Sequence, residues 1–564
     1  MLLQSVLVIL PLFISGVLAE QDPLNWWKAT VVYQVYPRSF KDSNGDGNGD
    51  LSGITEKLDH LKDLGVGTVW LSPIYKSPMA DNGYDISNFY DIDPSFGTLD
   101  DFDKLKARAK ELDIKLVLDF VPNHSSDESE WFQKSVKRIE PYTDFYVWHD
   151  GKIDPETGKR VEPNNWISVF SGPMWEWNEE RQQYYLHQFG AKQPDFNYRN
   201  PAVREEMKNV IRFWIERGVD GFRVDAVPHL LEDAEFTDEE RTYYEGVPPT
   251  SYDYLYHVHT TNRPETYDLI KEWRAYIDEE FNDKDNHTRI LMTEAYASVE
   301  ETMAYYGNDT NPGAHFSFNF NLVSRPTSAQ DFDNLVHQWV DNVPKGKQSN
   351  WVAGNHDNPR VATRYGPAMV DAVNMLVTLL PGTAVTYNGE EIGMTDLAME
   401  SPNDSRDPER TPFQWDNSTS AGFSTSEDTW LPVNPNYKEL NLAAQKLANQ
   451  SHYHVYKQLV AARSHITIQT GSLRTRVIGD NVFSFLRDLE GSDSFVVAIN
   501  VSDSEQDVHL DEAFPGLSEF LTVYTASVGS RFVPGDQVSR SLTVGPRDAL
   551  VLTQCRVLAE IDVK

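Results

Sequence analysis

Three acidic residues follow three short apolar runs: Asp225 in GFRVDAVPH, Glu294 in ILMTEAYAS and Asp357 in WVAGNHDNPR. Runs of this kind are buried in parallel sheets, and a carboxylate at the C-terminal end of such a strand sits where barrels and doubly wound sheets build active sites. Two carboxyl groups about 5 Å apart, one a nucleophile and one a proton donor, are what glycoside hydrolysis with retention requires. Asp225 and Glu294 are the candidates for that pair. Arg223 lies two residues before Asp225, on the same strand face, and is expected to hold it ionised. Glu294 is flanked by Met292 and Tyr296, surroundings that raise a carboxylic pKa toward general-acid use.

Carboxylates so far apart in the chain converge only on a scaffold that gathers strand ends. Apolar runs VVYQVYP (31–37), TVWLSPI (68–74) and KLVLDF (115–120) start an alternation with helix-like stretches, in which Leu58, Leu61 and Leu64 form one stripe. GFRVDA, ILMTEA, FSFNFN (316–321), SNWVAGN and GTAVTYNGE bring the strand count to eight. Eight β/α repeats predict an α/β chain with a (β/α)8 TIM barrel rather than an open doubly wound sheet.

About a hundred residues separate KLVLDF from GFRVDA, too many for a βα connection. The barrel is therefore read over 20–124 and 201–468, with a small inserted domain at 125–200 rich in aromatics that either stack on sugars or fill its core. Residues 390–440 read as a long ordered loop, and 469–564 as an antiparallel β-sandwich.

Across 564 residues, Lys+Arg 50 against Asp+Glu 86 gives a net charge of −36. That balance repels nucleic acid and anionic membranes. Residues 1–19, MLLQSVLVILPLFISGVLA, read as a signal peptide, and no later segment is apolar enough to serve as a transmembrane anchor. A secreted, extracellular glycoprotein is expected, with sequons at Asn286, Asn308, Asn403, Asn417, Asn449 and Asn500. Cys555 is the single cysteine, so no intrachain disulfide forms. Nothing in the chain sets an oligomeric state.

Four ordered segments, DFVPNHSS (119–126), GFRVDAVPH, TEAYA and AGNHDNPR, with QPDFN (193–197) and GTAVTYNGEEIGM (382–394), resemble the conserved regions of the α-amylase superfamily of glycoside hydrolases. Within it the chain resembles secreted α-glucosidases and maltases of the insect type. The resemblance implies that Asp225 is the nucleophile, Glu294 the acid/base and Asp357 the carboxylate gripping the 2- and 3-hydroxyls. It implies that His124 and His356 hydrogen-bond the glucose and that Arg223 orients the nucleophile. Tyr84 is implied as a stacking platform, Asp85 and Arg410 as caps on the non-reducing end, and Phe189 and Gln193 as pocket walls.

The loop DSNGDGNGD (42–50) sets oxygens at Asp42, Asn44, Asp46 and Asp50. It begins like an EF-hand, but position twelve is Gly53, so the bidentate Glu is missing. The resemblance implies one structural calcium there, with a carbonyl from Asn48; an Asx-rich turn without an ion is the other reading. No catalytic cofactor is expected. The resemblance implies that Ala226 after the nucleophile and Pro228 before His229 favour maltose, maltooligosaccharides or sucrose over isomaltose or long starch. An isomaltase or sucrose isomerase is the alternative enzyme. A glucosidase-like receptor or transporter-associated protein is the non-enzyme alternative.

Overall fold

The computed structural model describes residues 25–554. The expected signal peptide and Cys555 lie outside the described residues. Eight parallel strands, β1 (Val31–Val35), β2 (Thr68–Leu71), β3 (Lys115–Phe120), β4 (Gly221–Val224), β5 (Ile290–Thr293), β6 (Phe316–Ser317), β7 (Asn350–Val352) and β8 (Thr383–Tyr387), form one sheet. Their order is β6-β5-β4-β3-β2-β1-β8-β7, sequential neighbours around a barrel. Nearly every strand residue is buried, because helices cover the outside and side chains fill the inside.

One joint differs. No strand pairing links β6 to β7; there the Asn350 amide donates to Ser317 O (2.6 Å), and Asn319 donates to Asn350 Oδ1 and O (2.9 and 3.2 Å). Both asparagines are fully buried, so their amides substitute for the missing ladder.

The helices start where their caps dictate. Asp50 accepts from Gly53 N at the head of α1 (Leu51–Leu64), and Gly65 (φ 83°) ends it. Thr98 with Asp101 makes a capping box for α2 (Leu99–Glu111), as Ser328 with Asp331 does for α3 (Ala329–Val340). Leu51, Ile54, Leu58, Leu61 and Leu64 all face the core from α1. Truncating any of them to alanine costs about 2–5 kcal/mol.

Between β3 and the helix Pro201–Glu216 the chain forms a small domain around a three-stranded antiparallel sheet (Trp148–His149, Gln183–Leu186, Trp175–Asn178). Most of its aromatics, among them Phe145, Tyr146, Trp166 and Trp175, are buried core. Asp195 of the QPDFN segment fastens this domain to the barrel, accepting from Asn123 Nδ2 (3.2 Å), Gln188 N (3.1 Å) and Gln188 Nε2 (2.8 Å). From Ser472 onward, a six-stranded antiparallel sheet lies against the barrel, with Phe483 stacked on Phe332 of α3. The pair Gln506–His509 and Ser541–Val544 contributes to the core on its other side, giving the sandwich unequal sheets.

Candidate active site

β4 delivers the centre of the site. Arg223 lies beside Asp119 of β3 in register, and its guanidinium reaches three carboxylates: Nη1 to Asp119 Oδ1 (2.8 Å) and Asp225 Oδ1 (2.5 Å), Nη2 to Glu294 Oε1 (2.7 Å). One buried cation thus holds both members of the expected pair. Past the strand end Ala226 takes a left-handed backbone (φ 47°), rare for a residue with a Cβ, and its N–H donates to Glu294 Oε2 (3.1 Å). Glu294 is therefore gripped by a guanidinium and an amide, where its sequence neighbours had suggested an apolar setting.

Burial pushes the Asp225 carboxyl up; Arg223 pulls it down, and Glu294, Asp119 and Asp357 push it further up. Burial raises Asp119 to about 6 despite Arg223. Asp225 and Asp119 thus share one guanidinium, and at both of them burial outweighs its pull.

Asp357 follows a different balance. Its burial is outweighed by His356, Arg410 and Arg406, which hold it well below the usual carboxylate range. Arg410 Nη2 is 2.8 Å and Arg406 Nη1 3.2 Å from its Oδ1. His356 accepts at Nδ1 from Gln34 Nε2 (2.8 Å), which assigns its proton to Nε2, 2.7 Å from the Tyr84 hydroxyl and 3.3 Å from Asp357 Oδ2. Tyr84 also lies flat on the His356 ring (centroids 5.4 Å, 4° apart) and donates to Asp119 Oδ2 (3.1 Å). Burial lowers His356 to about 3 and His124 to about 4, so both are neutral imidazoles at ordinary pH.

Asp85 does not face this cluster. Its fully buried carboxylate accepts from Ser77 Oγ (3.0 Å), Ala80 N (2.8 Å) and Asp81 N (2.9 Å), pinning its own turn. The carboxylate that faces the site is Asp81, 2.7 Å from Arg406 Nη2 and 3.0 Å from Gln193 Nε2. Gln193 Nε2 also lies 3.1 Å from His124 Nε2, and Phe189 packs on the His124 ring (5.2 Å). Arg410 sits deeper than expected, donating to His356 O (2.7 Å) as well as to Asp357. Asp81, Gln193 and Arg406 border a cavity of about 790 Å³ rimmed by Phe170 and Trp430.

A family model for the α-amylase catalytic domain matches residues 34–471. This chain belongs to the α-amylase family. It is 48% identical to Maltase 1 of Drosophila virilis over 553 residues (94% of this chain, 87% of the relative). It is 46% identical to the salivary alpha-glucosidase of Anopheles gambiae (94% and 93%). The fold matches trehalulose synthase MutB from Pseudomonas mesoacidophila with TM-score 0.81 at 31% identity, covering 94% of this chain and 99% of the other. With these relatives and its carboxylate set, this α-amylase family member is a glycoside hydrolase.

Two other groups of expected residues differ in outcome. In the loop of this α-amylase family enzyme, Asp42 accepts from Asn44 N, Gly45 N, Gly47 N and Ser424 Oγ, and Asp50 from Ser43 N, Ser43 Oγ and Gly53 N. Asp46 accepts from Asn48 N, Asn44 Oδ1 from Asp46 N, and Asn48 Oδ1 from Arg38 Nε. These are linked Asx turns, and among the described residues no three Asp, Glu, His or Cys side chains converge as a metal-binding group. Of the sequons, Asn286, Asn308, Asn403, Asn417 and Asn449 are exposed. Asn500 is corrected: it is fully buried, and its Nδ2 donates to Ser504 O and Gly545 O (both 2.7 Å), leaving no nitrogen for a glycan.

Proposed function

We propose that the enzyme is a secreted, exo-acting, retaining α-glucosidase that releases terminal glucose from maltose, maltooligosaccharides or sucrose. The observation that supports it best is Arg223 bridging Asp225 and Glu294, which keeps the two carboxyls at the short range of a nucleophile and its acid/base. Glu294 gives its proton to the leaving oxygen while Asp225 attacks the anomeric carbon, forming a glucosyl ester. Water activated by Glu294 then cleaves that ester and restores both groups. Asp357, kept ionised by its cations, accepts hydrogen bonds from ring hydroxyls, and neutral His124 and His356 act as polar contacts without adding charge.

Exo-action draws support from Asp81, Arg406 and Gln193, an ion-paired stop suited to terminal hydroxyls. Secretion draws support from the salivary name of a relative; among the described residues no helix is long and apolar enough to cross a membrane. The trehalulose synthase neighbour gives the sucrose isomerase reading a place in the same test. We keep calcium as a proposal for the 42–50 loop, whose candidate ligands are all oxygens, as a hard cation prefers. Binding would require Asp46 and Asp50 to exchange N–H contacts for the ion, and its part would be structural.

Proton NMR of fresh digests tests the mechanism: α-glucose appears before its β-anomer. First-formed β-glucose sinks the retaining step, isomerised sugar without free glucose supports the isomerase, and no turnover of any α-glucoside supports the receptor reading. Asp225→Asn lowers kcat by about 10⁴-fold or more on every substrate.

A further inference from the structure

We propose that the inserted domain carries a second glucan-binding groove, outside the pocket that holds the scissile sugar. A cavity of about 520 Å³, within the size range of small-molecule sites, is lined by Glu162, Phe170, Glu176, Trp177, Tyr184 and Phe189. Trp175 and Leu186 on one face of the hairpin are covered by the domain core. That face emerges from the core at Trp177 and Tyr184, which pair directly across the strands with ring centroids 5.0 Å apart. Phe170, 47% exposed, forms the opposite wall, edge-on to Phe189 (5.8 Å).

Aromatic faces beside carboxylates suit a pyranose, whose C–H face stacks on rings while its hydroxyls donate to Glu162 and Glu176. An anionic ligand is disfavoured by those two acids and by the net charge of −36. Arg160, whose guanidinium lies 5.7 Å over the Trp177 ring and donates to Asp150 O, is exposed at the rim and supplies a donor there.

The groove adjoins the cavity bordered by Asp81, Gln193 and Arg406. Phe170, Gly190 and Ala191 line both, and the Arg406 guanidinium lies 5.7 Å from the Phe170 ring. A maltooligosaccharide held on Trp177 and Tyr184 is thereby kept beside the pocket, which raises its effective concentration there without new contacts at the reacting bond. The enzyme should accordingly favour longer chains, an inference that rests on the α-glucosidase reading.

The test uses the full chain with Trp177→Ala and Trp177→Phe, assayed on maltose and maltoheptaose. We expect Trp177→Ala to lower kcat/KM on maltoheptaose about tenfold, equal to about 1.4 kcal/mol, with maltose turnover unchanged and Trp177→Phe restoring most of the loss. Wild-type rates on maltoheptaose, or an equal loss on both sugars, overturn the proposal. Binding of β-cyclodextrin, which has no chain end for the pocket, gives a second readout by isothermal titration calorimetry. Its loss in Trp177→Ala supports the groove, and its persistence overturns it. Failure of the wild type to release glucose from maltose would refute the α-glucosidase reading, while the cyclodextrin readout would still judge the groove.

Discussion

Exchanging Asp81 for asparagine separates the two acids that flank the Asn82-Gly83 turn. Asp81 meets Arg406 and Gln193 at the pocket end, whereas Asp85 is enclosed by Ser77 and two backbone amides. A hydrogen bond to a charged group is worth about 1.5–3 kcal/mol, so loss of the Asp81 charge lowers kcat/KM on maltose roughly 10- to 150-fold. Stability should change little, because Arg406 keeps Asp357 and Asp404 as partners. Asp85→Asn instead turns an amide toward N–H donors in a site without water access, and loses about 1–3 kcal/mol of stability. Steady-state kinetics paired with urea melts of both variants decide the matter. Near-native kcat/KM in Asp81→Asn, or native stability with a large activity loss in Asp85→Asn, would show that the wrong acid has been placed in the pocket.

Three further outcomes are expected. Gly47 has φ 91° and a Cβ there would lie 2.3 Å from Asp428 O, so Gly47→Ala should cost more than about 1 kcal/mol in a urea melt; an unchanged midpoint contradicts the packing. His452 donates to Asp371 Oδ1 (2.8 Å); burial lowers its pKa but that bond outweighs burial, leaving the folded value raised. Its stabilisation is complete below the unfolded value of about 6.5 and fades as pH rises through the folded one, so the wild-type advantage in Tm over His452→Gln should be larger at pH 5.5 than at pH 9. A margin that does not change with pH would remove the ion pair from the account. Finally, a calcium-filled 42–50 loop predicts a lower Tm in excess chelator and recovery with added calcium; an unchanged Tm leaves the Asx turns as the whole explanation.

Strand period and the apolar α1 stripe made the barrel legible, since all eight staves read as buried runs. Arg223, Asp225 and Glu294 were legible because each sits within or directly after such a run. Asp81 was not: two acids bracket one turn, and which of them faces the pocket is set by the left-handed backbone at Asn82 (φ 50°) and Gly83 (φ 106°). Arg406 was missed because the 390–440 loop has no periodicity to fix its direction. Asn500 satisfies the sequon rule yet ends a strand buried on both faces, which three letters of sequence do not convey.

The asparagine joint between β6 and β7 makes this barrel a curled sheet with a clasp. Parting any other pair of staves breaks a main-chain ladder, whereas the clasp opens by releasing a few amides, so hydrogen exchange should spread from it. Asp357 follows β7, beside the clasp, while Asp225 and Glu294 follow β4 and β5, two strands that keep a main-chain ladder on both sides. Breathing of the wall would shift Asp357 before it disturbed Asp225 and Glu294.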